Sequence, residues 1–183
     1  MGTPGHCWNC LAEWKQEECD GSSSSVVMGI CFRILKLTRI DFYYDVSNSL
    51  LFASRIARKL CYEKIVSPGQ PLVIRCKDSD HCDEIGDLLY RFSDKDFLPN
   101  AKLSDSHALL SPIVLLETSE IPLWANDIIV LLNLDIKIEI TFSSYSRVIE
   151  IVDQTDTNRQ IGRKKYKFYK ERGYEIFDHK VEK

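Results

Sequence analysis

Three short apolar runs, PLVIRC (71–76), PIVLLE (112–117) and DIIVLLN (127–133), constrain the fold of this chain more than any other feature. None shows the alternation of a strand with one wet face. A strand that is apolar at successive positions needs cover on both sides, and parallel sheets sandwiched between helices supply it. The segments between them fit that frame. LKLTRIDFYY (35–44) reads as a strand, closed by DVSN, whose Asp and Ser suit a helix N-cap. SLLFASRIARKLCYEKIV (49–66) places Leu51, Ile56, Leu60 and Ile65 close to one helical face, and SPGQP ends it. KDSDHCDEIGDLLYRF (77–92) is a second helical stretch, with acids in its first turn and apolar Ile85, Leu88, Leu89 and Phe92 later. SDKDFLPNAKLSDSHALLS (93–111) reads as loop, because Pro99 and Asn100 oppose a long helix. RVIEIV (147–152) is a further strand, DIKIEITF (135–142) alternates like one, and Asp153 to Asn158 turn the chain into a last helix. The expectation is an α/β fold: a single three-layer domain over residues 36–183, with a mostly parallel central sheet and a basic C-terminal helix.

Residues 1–35 differ in character. MGTPGHCWNCLAEWKQEECDGSSSS ends in a Gly-Ser run of linker type, so this stretch reads as a disordered extension, or, up to residue 27, as an over-long start. Its HCWNC motif and Cys19 offer one zinc knuckle where a tetrahedral site usually draws on two, so no metal is expected. The chain has seven cysteines, an odd number at irregular spacing, which fits reduced thiols better than a disulfide framework. No apolar run approaches the length of a membrane span, and a cytoplasmic protein without membrane contact is expected.

Catalytic patterns are not found. The first strand-to-helix turn, YYDVSNS, has no glycine to let a pyrophosphate approach, and no GxxxxGK[ST] occurs. Neither GxSxG nor HExxH is present, and His6, His81, His107 and His179 are scattered. His81, among Asp78, Asp80, Cys82 and Asp83, reads as the capped, solvated start of the second helix. The expectation is a non-enzyme with no cofactor.

Charge is the informative signal. The chain carries a formal net charge of −3, yet Arg159 to Arg172 holds seven basic residues and one acid. That window is a local +6 on a remainder of −9. On a 3.6-residue repeat Arg159, Arg163, Tyr166, Lys167 and Lys170 fall within about 100° of one another. Ile161 and Phe168 lie opposite, where they are expected to dock on the sheet, and Gly173 stands where a helix C-cap favours glycine. Such a face suits an anion. A nucleic-acid backbone needs many contacts, whereas an acidic peptide with an apolar anchor needs a few cations beside a notch. Because the remainder is acidic, the peptide is favoured; direct single-stranded nucleic-acid binding through this helix is the alternative.

The order of elements from Leu35, the DFLPN stretch (96–100), DIIVLLN and above all RQIGRKKYKFYKERGY (159–174) resemble the chi subunit of bacterial DNA polymerase III. The resemblance covers residues 36 to 179. Its most specific part is a basic-x-x-x-Arg-x-x-Tyr-Lys-x-Tyr-basic-x-x-Gly-aromatic pattern. Here that pattern is Arg159, Arg163, Tyr166, Lys167, Tyr169, Lys170, Gly173 and Tyr174. The resemblance implies a non-catalytic accessory subunit of the clamp-loader assembly. Such a subunit binds the psi subunit on one surface and the acidic C-terminal tail of single-stranded DNA-binding protein on another, meeting DNA only indirectly. It places the tail site at Arg159, Arg163, Tyr166, Lys167 and Lys170, with Tyr174 near the rim. It places Phe97 and Pro99, which match a Phe-x-Pro-His stretch, on the face used for psi-type partners. Asn100 stands where that stretch has His, and Tyr90 where Trp is common. Residues before the first strand have no counterpart in the family.

Overall fold

The computed structural model describes residues 38–91, 93, 97–117, 130–139 and 141–181. The extension expected over residues 1–35, with its HCWNC motif and Cys19, and the side chain of Phe92 lie outside them. Among the described residues seven strands form one sheet. They are β1 (Arg39–Val46), β2 (Leu72–Arg75), β3 (Asn100–Lys102), β4 (Ile113–Leu116), β5 (Val130–Asn133), β6 (Arg147–Asp153) and β7 (Ile176–Lys180). Their order is β3-β4-β2-β5-β6-β1-β7, and every neighbouring pair is parallel. Three described α-helices flank the sheet: α1 (Ser49–Tyr62), α2 (Ser79–Arg91) and α3 (Asp156–Glu171).

The apolar runs do what their composition demands. Every residue of β2, β4 and β5 is buried. Alternate side chains enter different cores. Leu72, Ile74, Ile113, Leu115, Val130 and Leu132 pack under α1 and α2. Val73, Val114, Leu116 and Leu131 pack with Phe142, Tyr145 and Tyr169 on the α3 side. This is the three-layer α/β arrangement the sequence led us to expect.

Local signals set the helix ends. Asn48 caps α1, its side-chain oxygen accepting from Leu51 N at 2.9 Å. Asp78 accepts from His81 N at 2.9 Å at the start of α2, so the acids around His81 are the beginning of a helix. Thr155 caps α3, and Gly173 follows its C-cap with φ +77°, a conformation glycine adopts without strain.

Three expectations are corrected. The buried stripe of α1 is Ala53, Ser54, Ala57 and Leu60, while Leu51 and Ile56 are only half-buried; small residues let this helix lie close to the sheet. The stretch 93–111 contains the edge strand β3, too short to show a pattern. DIKIEITF forms no strand over its described residues, which bend through a turn into a 3-10 helix at Phe142–Ser144. EIFDH, which follows the Gly173 stop and has no element assigned from the sequence, is strand β7 and pairs with β1.

One cross-sheet row on the α3 side is polar. Arg75, Asn133 and Glu150 lie in register on β2, β5 and β6, and all three are buried. Glu150 accepts from Lys165 Nζ at 2.8 Å, Tyr169 Oη at 2.9 Å and Asn133 Nδ2 at 3.0 Å. Arg75 has Asp135 at 3.7 Å and Glu139 at 3.6 Å to balance its charge. A buried charge is tolerable only with such partners, and this row fixes the rotation of α3.

On the other face Asp41, fully buried, ties the β1–β7 end together. It accepts from Arg39 at 2.8 Å, Arg147 at 2.6 Å and His179 at 2.8 Å. Burial pushes its carboxyl up, but these hydrogen bonds outweigh that and hold it below the usual carboxylate range.

A basic-apolar groove beside the last helix

Helix α3 meets the sheet through Gly162, Lys165 and Tyr169. The contact stripe is therefore turned about a quarter turn, at roughly 100° per residue, from the Ile161–Phe168 face expected from the sequence. Ile161 and Phe168 are half-buried on its flank. The physical reason is Lys165: its ion pair with Glu150 and its bond to Asp135 O at 2.6 Å draw that side of the helix inward. Gly162 permits the approach. A Cβ there would lie 2.8 Å from Val152 Cγ2 and 3.1 Å from Cγ1, closer than packed atoms tolerate.

This rotation brings part of the basic face to the edge of the contact, where it borders an open groove of about 390 Å³. Phe42 and Val152, both buried, make an apolar floor. Arg159, Arg163 and Tyr166 rise from α3, Tyr44 and Asp45 from the end of β1, and Asp178 from β7. Tyr166 packs edge-on against Phe42 with ring centroids 5.4 Å apart. Its hydroxyl donates to Asp178 Oδ2 at 3.3 Å. Partial burial and that carboxylate hold the hydroxyl above its ordinary pKa, so it remains a proton donor. Arg159 Nη2 reaches Asp45 Oδ1 at 3.0 Å.

Of the six side chains assigned to one site from the sequence, the structure gathers Arg159, Arg163 and Tyr166 in the groove. Lys167 and Lys170 extend the basic surface outward; both are exposed, and Lys167 lies 3.6 Å from Glu171. Tyr174 turns away and packs on Phe142 with centroids 5.0 Å apart. Sequence reasoning missed Phe42, Tyr44, Asp45, Val152, Gly162 and Asp178, which come from β1, β6, α3 and β7. Only Gly162 left a signal, as a glycine inside a helical pattern, which often marks a close approach.

Phe97 and Pro99 sit elsewhere, just before β3 at the opposite edge of the sheet. Both are exposed, and the Phe97 ring lies 5.0 Å from that of exposed Tyr90. Asn100 steadies the stretch by donating to Leu98 O at 3.1 Å. Among the described residues no group of three or more His, Cys, Asp or Glu is placed to hold a metal. No described helix is long and apolar enough to cross a membrane.

Residues 37–177 match the protein family described as DNA polymerase III chi subunit, HolC. The chain belongs to this family. It is also 32% identical over 149 residues to the DNA polymerase III subunit chi of Pseudomonas aeruginosa, covering 79% of this chain and 98% of that protein. A chi subunit is an accessory part of the polymerase in DNA replication, so protein partners are to be sought on its surface. The groove beside α3 and the Tyr90–Phe97 pair stand at opposite ends of the chi sheet.

Proposed function

We propose that this chi-family chain is a non-catalytic link in the bacterial cytoplasm between the clamp-loader assembly of DNA polymerase III and the acidic C-terminal tail of single-stranded DNA-binding protein. The observation that carries the reading is the groove itself, an apolar floor of Phe42 and Val152 bordered by Arg159, Arg163 and Tyr166. A tail that ends in an apolar side chain and a carboxylate fits this chemistry. The terminal side chain lies on Phe42 against the Tyr166 ring, and the carboxylate meets the Arg163 guanidinium, a group that binds carboxylates bidentately. Acidic residues before the end meet Lys167 and Lys170. Contact with DNA is then indirect, through the protein that coats it. Affinity for one tail is on the order of micromolar, raised by the several tails displayed along a coated strand. The exposed Phe97 and Pro99, at the other sheet edge, are assigned to the psi subunit, leaving both surfaces free to be used at once.

Titration calorimetry with a peptide ending in Asp-Asp-Pro-Phe tests the reading. The peptide binds the unmodified chain, and Arg163→Ala or Lys167→Ala weakens it, Arg163→Ala the more because its side chain lines the groove. Binding of a bare single-stranded oligonucleotide in the absence of any peptide binding replaces the tether with direct nucleic-acid recognition.

A further inference from the structure

The groove is less basic than the run of cations beside it. Its lining includes two guanidinium groups, Arg159 and Arg163, and two carboxylates, Asp45 and Asp178. The carboxylates are not idle. Asp45 Oδ1 holds Arg159 Nη2 at 3.0 Å, and its other oxygen lies 4.0 Å from Lys180 Nζ. Asp178 holds the Tyr166 hydroxyl. Arg163 has no ion pair among the described residues and is the cation left open to a ligand.

Backbone geometry shows that Asp45 is aimed. The pairing of β1 with β6 slips between Tyr44 and Val46, and Asp45 is the residue left over, with φ +68°. Its carbonyl is fastened by Gln154 Nε2 at 3.0 Å. A bulge at a sheet end re-aims the side chain it carries, and here it turns a carboxylate toward the groove and onto Arg159.

We infer that Asp45 and Asp178 are specificity-determining residues of the groove: they engage Arg159 and Tyr166 so that the site reads one carboxylate beside an apolar group and turns away a polyanion. This inference rests on the proposal that the groove takes a peptide terminus. A single terminal carboxylate needs only Arg163, while its apolar neighbour gains the floor whatever the charge. A nucleic-acid strand brings a phosphate at every step and depends on several unneutralised cations. Inside the groove it meets two carboxylates instead. Selectivity achieved through a repulsive element against the wrong ligand is a general device of recognition sites.

The test uses the full chain and its Asp45→Asn and Asp178→Asn variants. Asparagine keeps the shape of aspartate and tolerates a positive φ. Each protein is titrated with two probes, the Asp-Asp-Pro-Phe peptide and a short single-stranded oligothymidylate. Asp45→Asn is expected to tighten the oligonucleotide by about three- to five-fold, the range that an exposed ion pair commands, with a steep fall in added salt. The peptide, whose carboxylate meets Arg163, gains less than that factor. Asp178→Asn acts in the same direction and more weakly, because the charge it removes faces a hydroxyl and not a cation. Peptide binding to the unmodified chain, with an oligonucleotide gain in the variants no larger than the peptide gain, overturns the inference while leaving the tail site standing. No peptide binding to the unmodified chain overturns the tail site and the inference with it.

Discussion

Lys165 and Arg163 stand two residues apart in one basic run, yet they inhabit different chemistry. Lys165 is 5% exposed and gives its ammonium to Glu150 at 2.8 Å and to the Asp135 carbonyl at 2.6 Å. Arg163 lines the groove, exposed, with no carboxylate bound to it among the described residues. The comparison teaches that a count of cations does not measure the field offered to a ligand. On α3 the basic residues divide between a lock that seats the helix and a surface that meets something else. The lock comes first, because its rotation decides which cations reach the groove.

Removing the lock has the largest expected effect. Lys165→Met leaves the Glu150 carboxylate buried with only Tyr169 and Asn133 as donors. Breaking a buried ion pair from one side is expected to lower stability by about 3–5 kcal/mol, read as a fall in the urea midpoint at constant slope. A loss below about 1 kcal/mol would erase the distinction between the two cations.

Gly162 tests the same docking from the backbone side. Gly162→Ala drives a Cβ to 2.8 Å from Val152 Cγ2. Overpacking of this kind costs about 1–3 kcal/mol, and the better helix propensity of alanine returns about 1 kcal/mol. The expected net loss is about 1 kcal/mol, with weaker peptide binding because α3 must lift from a groove it walls. Val152→Ala added to that variant removes both crowded methyl groups and should restore the groove. If the double variant binds peptide no better than Gly162→Ala alone, the close approach is not what shapes the site.

How much of this was legible in the sequence follows from the range over which each determinant acts. The buried strands were readable because β2, β4 and β5 state their surroundings in their own composition. The turn over Asp153 to Asn158 and the stop at Gly173 were readable because they act within one turn, while the cap of α1 falls on Asn48 and not on the Asp or Ser of DVSN. The strand β7 was hidden because IFDHK alternates only weakly, and its pairing with β1 joins segments more than a hundred positions apart. The rotation of α3 was hidden for a different reason. A lysine on a helix is read as surface by default, and nothing near Lys165 in the chain announces Glu150. Arg159, Arg163 and Tyr166 were found because they share a helix. Phe42, Asp45 and Asp178 were not, because only the parallel order β6-β1-β7 brings them beside it.

The smallest expected effect on stability belongs to the other member of the pair. Arg163→Ala removes an exposed side chain that holds no carboxylate, and surface changes of that kind stay within about 0.5 kcal/mol. Its urea midpoint should match that of the unmodified chain while the calorimetric affinity for the Asp-Asp-Pro-Phe peptide falls. Lys165→Met should show the reverse ranking, with its main effect on stability and any binding change following from the altered seat of α3. The two variants therefore separate seating from recognition on a single helix. Equal stability losses in both would mean that the basic run acts as one structural unit, and the groove would lose its claim to a ligand.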